Sequence, residues 1–199
     1  MRIFILRARK GPTASKDVDA ALGGTSHFEV IAHTLVSALC VAKHTRDDVV
    51  VHVVLEATSD YSRTVTFDSR KPLYLGGFHE AAVIKTIKKA LDASKKLDKE
   101  ERCQVADGIS VTTISFEHLV KKIAEDHPLY ILDKKGEDVR AAELSDSGCF
   151  ILTDHIPMPK KTLHLLKRLG VNKLNLGPKM LFAAHCVVLV HNELDRRGG

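Results

Sequence analysis

The chain alternates short apolar runs with stretches in which apolar residues recur every three or four positions. Arg2–Ala8 sets Ile3 and Ile5 against Phe4 and Leu6 and predicts a central strand. Val49–Leu55 is continuous and β-branched, the pattern of a strand buried on both faces. Arg63–Phe67, Pro72–Leu75, Gly108–Thr113, Leu129–Leu132, Cys149–Leu152 and Val171–Leu174 read as further, shorter strands. Phe28, Ile31, Leu35 and Leu39 place an amphipathic helix over His27–Lys43, and similar spacing predicts helices over Phe78–Ala93, Ser115–Asp126 and Pro159–Leu169. His127-Pro128 ends the third of these, because proline pushes the residue before it out of the α region. Arg9–Ser26 is polar and rich in small residues and reads as one long loop. Lys95–Arg102 is dense in charge and predicts a hinge on the surface.

Strands that alternate with helices, and that are apolar without alternation, predict an α/β fold: a mostly parallel sheet flanked by helices, in a single domain over 1–199. In such sheets ligands gather beyond the carboxyl ends of the strands. Three ends stand out: Leu132-Asp133, Leu152-Thr153-Asp154-His155 and Leu174-Asn175-Leu176-Gly177-Pro178. In the last, Gly177 frees the backbone while Pro178 fixes its own φ and removes a donor. Met180–Val190 then runs apolar on nearly every side, which suits a helix in a core or an interface.

Composition narrows the field. No apolar run is long enough for a membrane span, and MRIFILRARK is too short and turns basic too soon for a secretory signal. Cys40, Cys103, Cys149 and Cys186 are scattered without metal spacing, so reduced thiols, no metal and a cytosolic setting are expected. Neither G-x-G-x-x-G nor a P-loop is present, which argues against a nucleotide held by its phosphates. A net charge of +5, with eleven histidines besides, favours a polyanionic partner.

Read together, the three strand ends resemble the SPOUT methyltransferases, and the whole chain is similar to the archaeal tRNA pseudouridine-54 N1-methyltransferases. The likeness rests on FILRA, DVVVHVVLE, YILDKKGED, FILTDH and above all LNLGPKMLFAAHCVVLVHNELD. It implies a C-terminal trefoil knot, a homodimer, and a pocket for S-adenosylmethionine. The implied donor loops are Leu132, Thr153 and the run Leu176, Gly177, Pro178, Lys179, Met180 and Leu181, with Cys186 close by. The family usually has glycine where this chain has Thr153; a backbone contact with ordinary φ survives that change.

The implied reaction, methylation of a pseudouridine ring nitrogen in the T-loop of tRNA, needs an aligned donor and a proton acceptor. Asp154 and His27 are the candidates for the acceptor. Each has a plainer reading, a turn-forming Asp154 and a helix start capped by Ser26. Arginine suits phosphates and uracil carbonyls, which nominates Arg7, Arg9, Arg46 and Arg63 as RNA contacts. Another RNA substrate, or a non-catalytic RNA-binding protein of this fold, stands as the alternative.

Overall fold

In a computed structural model, which describes residues 1–24 and 26–198, the elements run β1 (Arg2–Pro12), α1 (Ser15–Ala21), α2 (Phe28–Leu39), β2 (Val49–Ala57), β3 (Arg63–Asp68), α3 (Glu80–Ala93), β4 (Arg102–Ala106) and β5 (Ile109–Thr112). They continue with α4 (Phe116–Ala124), β6 (Leu129–Asp138), β7 (Cys149–Thr153), α5 (Lys160–Arg168), β8 (Asn172–Asn175) and α6 (Ala183–Gly198). One sheet contains all eight strands, in the order β4-β5-β3-β2-β1-β7-β6-β8. From β2 to β8 every pairing is parallel, while β3, β5 and β4 extend the sheet antiparallel. No helix is long and apolar enough to cross a membrane, among the described residues.

Alternation along β1 divides the interior. Phe4, Leu6 and Ala8 face α1, α2, α3 and α6, while Ile3 and Ile5 face α4 and α5. With both faces covered, the parallel strands are apolar throughout, as expected. Ser115 caps α4 by accepting a hydrogen bond from the His118 amide at 3.2 Å, and α2 and α6 pack side by side.

Several expectations are corrected. The stretch Arg9–Ser26 is not one loop: β1 continues to Pro12, and α1 forms with Val18 and Ala21 buried. Thr25, within that stretch, lies outside the described residues. Pro72–Leu75 forms no strand; it runs beside α3, where the Thr86 hydroxyl donates to the Leu75 carbonyl at 3.4 Å. Arg102 starts an edge strand, whose polar outer positions hide the inward Cys103 and Val105. The helix expected over His27–Lys43 is α2 and stops at Leu39, and α6 begins only at Ala183, so Met180 and Phe182 stand on the bend, 83% and 68% exposed. Nor is α6 buried all round: Val188 and Leu189 face outward.

The most consequential departure is β6, which runs past Leu132 to Asp138. Leu174 pairs with Leu132 and again with Glu137, and Asn175 pairs with Asp138. A strand residue has two edges, so β6 holds β8 from both sides and residues 133–136 cross over it. Gly136 makes the crossing possible. A Cβ there would lie 2.6 Å from the Leu174 nitrogen and 2.6 Å from the Lys173 carbonyl carbon. Asn175 Nδ2 donates to the Lys134 carbonyl, and the Val139 amide to the Asn175 carbonyl, both at 2.9 Å.

Candidate active site

Register brings the three strand ends together. Arg7 pairs with Thr153, Ile131 with Ile151, and Leu132 with Leu174, so Thr153, Asp133 and Asn175 reach one level of the sheet on adjacent strands. All end in the same direction, the geometry of a ligand site in an open parallel sheet.

The bend after β8 forms a shelf at this level. Asn175 Oδ1 accepts from the Gly177 amide at 2.7 Å, and Gly177 takes φ +124°, a conformation that other residues rarely adopt. Nothing among the described residues stands within 4 Å of where its Cβ would be. Leu132, Leu176 and Leu181 pack against the core and give the shelf an apolar floor, while Pro178, Lys179 and Met180 are exposed. The exposure of Pro178, Lys179 and Met180 leaves the shelf open on that side. Cys186 is buried beneath it, with Sγ 3.8 Å from the Leu181 carbonyl; burial pushes its thiol up to about 11. A thiol held protonated packs; it does not attack. Thr153 has no positive φ, so its Cβ imposes no backbone strain.

Next to the shelf, His155 links the turn at Asp154 to His27. The His155 ring meets that of His27 edge to face, centroids 4.6 Å apart. Asp154 Oδ1 accepts from the Ile156 amide at 2.9 Å, whereas Oδ2 is buried without a hydrogen-bond partner among the described residues. Desolvation by burial raises the Asp154 carboxyl above the ordinary range, opposed by the Ile156 amide and by His155 and Arg9 nearby. His27 sits before α2 at φ 48°, ψ 51°, a left-handed conformation that costs a non-glycine residue of order 1–3 kcal/mol. The plainer reading of this position fails: Ser26 does not cap α2, and its hydroxyl donates back to the Ala21 carbonyl at 3.1 Å.

The four arginines separate. Arg7 is 6% exposed and fully engaged. Its Nε donates to Glu56 at 2.9 Å, Nη2 meets Glu117 at 3.1 Å, Nη1 donates to the Thr162 hydroxyl at 2.9 Å, and the guanidinium lies 4.4 Å from the Phe116 ring centre. Arg63, 4% exposed, donates to Ser94 and pairs with Asp60. Both are structural, because two inward-facing strand positions are filled by cations with internal partners. Arg46 is bidentate to Asp195 at 2.7 and 3.0 Å, beside Arg2 and so at the opposite end of β1. Only Arg9, of the four, is exposed at the strand ends, next to Asp154.

Residue-by-residue reading missed four participants: Gly136, His155 as the partner of His27, and the carboxylates Glu56 and Glu117 that neutralise Arg7. The glycine inside the charged run KKGED was the one signal available.

Comparison with known proteins agrees with this architecture. Residues 1–198 match the family model described as "Putative SAM-dependent RNA methyltransferase". A protein of Vibrio parahaemolyticus named "Putative pseudouridine methyltransferase" is 56% identical over 197 residues, covering 99% of both chains. One from Shewanella baltica with the same name is 54% identical over 195 residues, 98% of each. Among solved structures, Archaeoglobus fulgidus Nep1 bound to S-adenosylhomocysteine has a TM-score of 0.60 at 11% identity, across 100% of this chain and 98% of that one, a likeness of fold. With strand ends, open bend and a family match along nearly its full length, the chain belongs to this family of S-adenosylmethionine-dependent RNA methyltransferases.

Proposed function

We propose that this protein methylates N1 of pseudouridine 54 in the T-loop of tRNA, as a cytoplasmic homodimer. The observation that carries the reading is the convergence at one sheet end of an open glycine bend, an unpartnered buried carboxylate oxygen and a strained histidine. The relatives' names support pseudouridine as the target. The pairing of β8 with both halves of β6 supports a trefoil knot, in which the chain leaving β8 would pass through the loop that encloses it.

The shelf suits the donor. Leu132, Leu176 and Leu181 offer an apolar surface, Gly177 leaves room for close backbone approach, and Thr153 and the run from Pro178 to Met180 frame it. S-adenosylmethionine supplies an electrophilic methyl group on a sulfonium sulfur. Asp154 accepts the N1 proton at Oδ2, and its raised affinity for protons strengthens it as a base. His27 and His155 form a wall against which a base drawn out of its stack can lie. Arg9 holds a phosphate beside it. A second protomer covers the exposed Met180, Phe182, Val188 and Leu189 and closes the shelf, which one chain leaves open.

The test is methyl transfer to tRNA transcripts that carry either pseudouridine or uridine at position 54, followed by nucleoside mass spectrometry. N1-methylpseudouridine from the first alone is expected. Methylation of neither transcript, or of the uridine transcript equally, contradicts the reading.

A further inference from the structure

At the other end of the sheet lies a surface that the methyl-transfer site does not use. β3 runs antiparallel to β2, with Asp68 opposite Val50 and Arg63 opposite Leu55. The segment after β3 therefore emerges at the end away from Thr153 and Gly177, roughly 17 Å along a strand of five residue steps. There Tyr74 stands 86% exposed and Phe78 53% exposed, on either side of Gly76-Gly77. Beside Tyr74 is a cavity of about 460 Å³, walled by Leu73, Val105 and Ile109 with Thr86, Lys89 and Asp107 at its polar side. The Thr86 hydroxyl fastens the Leu75 carbonyl to α3, so the aromatic segment is anchored beside that helix.

Cations gather around it, with Asp107 the acidic residue of the cavity wall. Lys85 and Lys89 lie one turn apart on the outer face of α3, and Lys71 precedes the aromatic segment. None of the three takes part in an ion pair among the described residues, whereas Lys88 on α3 and Lys95 just beyond it are committed to Asp19 and Asp92. Free cations beside an upright aromatic ring and an apolar slot are the components by which proteins hold unpaired nucleotides: the ring stacks on a base, the lysines follow the backbone. Asp107 adds an acceptor for an exocyclic amino group at the slot's edge.

From this juxtaposition we infer that Tyr74, with Lys71, Lys85 and Lys89, forms a second RNA contact, which grips an unpaired nucleotide of the substrate away from the methylated one. The inference rests on the RNA methyltransferase family and not on the choice of tRNA. A surface that binds at a distance raises affinity for the whole RNA and leaves the chemical step untouched.

The experiment measures fluorescence anisotropy of a labelled twelve-nucleotide oligo(U) with the full-length protein, its Tyr74→Ala and Tyr74→Phe variants, and Lys85→Ala/Lys89→Ala. S-adenosylmethionine affinity and sedimentation serve as controls. Tyr74→Ala is expected to weaken oligo(U) binding about tenfold, with Tyr74→Phe within twofold of wild type and donor affinity unchanged. The double lysine variant should lower the slope of log K against log salt by about 1.4, the contribution of two phosphate contacts to a single strand. Absence of oligo(U) binding by the wild type, or binding by Tyr74→Ala within twofold of it, overturns the inference. So does loss of a dimer in Tyr74→Ala, which would make the patch an interface between copies. Failure to bind a tRNA transcript while oligo(U) binds would instead count against the tRNA reading alone.

Discussion

Replacing Gly136 by alanine probes the crossing of β6 over β8 with a single methyl group. The added Cβ would meet three backbone atoms, the Leu174 nitrogen and Lys173 carbonyl carbon at 2.6 Å and the Leu174 carbonyl carbon at 2.7 Å. Backbone cannot rotate away as a side-chain tip does, so the crossing must open by about 1 Å to restore ordinary contact distances. Two hydrogen bonds that close it, Asn175 Nδ2 to Lys134 and the Val139 amide to Asn175, start at 2.9 Å and would pass the limit of a useful bond. Overpacking costs about 1–3 kcal/mol and each lost bond about 1 kcal/mol, so the variant should lose roughly 3–5 kcal/mol. For a chain of this length that is a drop of roughly 6–20 °C in Tm. Differential scanning calorimetry of Gly136→Ala beside Gly177→Ala makes the comparison fair. Gly177 has open space around it, and its alanine variant should lose less, about 1–3 kcal/mol, through its positive φ alone. A Gly136→Ala protein that melts within 2 °C of wild type would refute the tight crossing.

Three further outcomes are expected. Arg7→Ala leaves Glu56 and Glu117 without their cation and should cost about 3 kcal/mol in urea unfolding, with Arg7→Met recovering part by packing on Phe116; an unchanged midpoint in Arg7→Ala would show the ion pairs to be inert. Asp154→Asn should abolish methyl transfer yet leave Tm at pH 7 equal or higher. The raised carboxyl means that the folded state holds the proton more tightly than the unfolded chain, so stability declines as pH rises through that window, and the asparagine escapes this cost; a lower Tm at pH 7 would contradict it. His191 is held neutral by burial, with its proton lowered to about 3 and its ring between the Ala38 carbonyl and Arg2. Because the unfolded chain protonates near 6.5, stability should fall as pH drops from 6.5 toward 3, by roughly 5 kcal/mol over the full range. His191→Gln should flatten that slope in acid-unfolding curves, and an identical slope would exclude His191 as its source.

How far the sequence could be read depended on whether apolar periodicity set the element. Val49–Leu55, Cys149–Leu152 and the α2 face of Phe28, Ile31 and Leu35 bury what they appear to bury, so strand and helix type follow directly. The second half of β6 does not, because Lys134 and Lys135 lie in the crossing and Glu137 and Asp138 pair with β8 through their backbone, which leaves no hydrophobic pattern. Arginines were misjudged for the converse reason: Arg7 and Arg63 occupy inward strand positions, and only the tertiary structure reveals the carboxylates and hydroxyls that neutralise them. The contact between His27 and His155 joins residues 128 positions apart and has no local signature. For the proposed donor loops, the resemblance supplied what periodicity lacked, and parallel register brings the three strand ends to one level.

The most direct test of the account is calorimetric titration of S-adenosylmethionine into the wild-type protein and into Gly177→Val. One donor per chain should bind the wild type, and the variant should keep its fold but lose the binding, since a β-branched side chain would fill the open bend. Equal affinity in the two proteins would place the methyl donor somewhere other than the shelf between β6, β7 and β8.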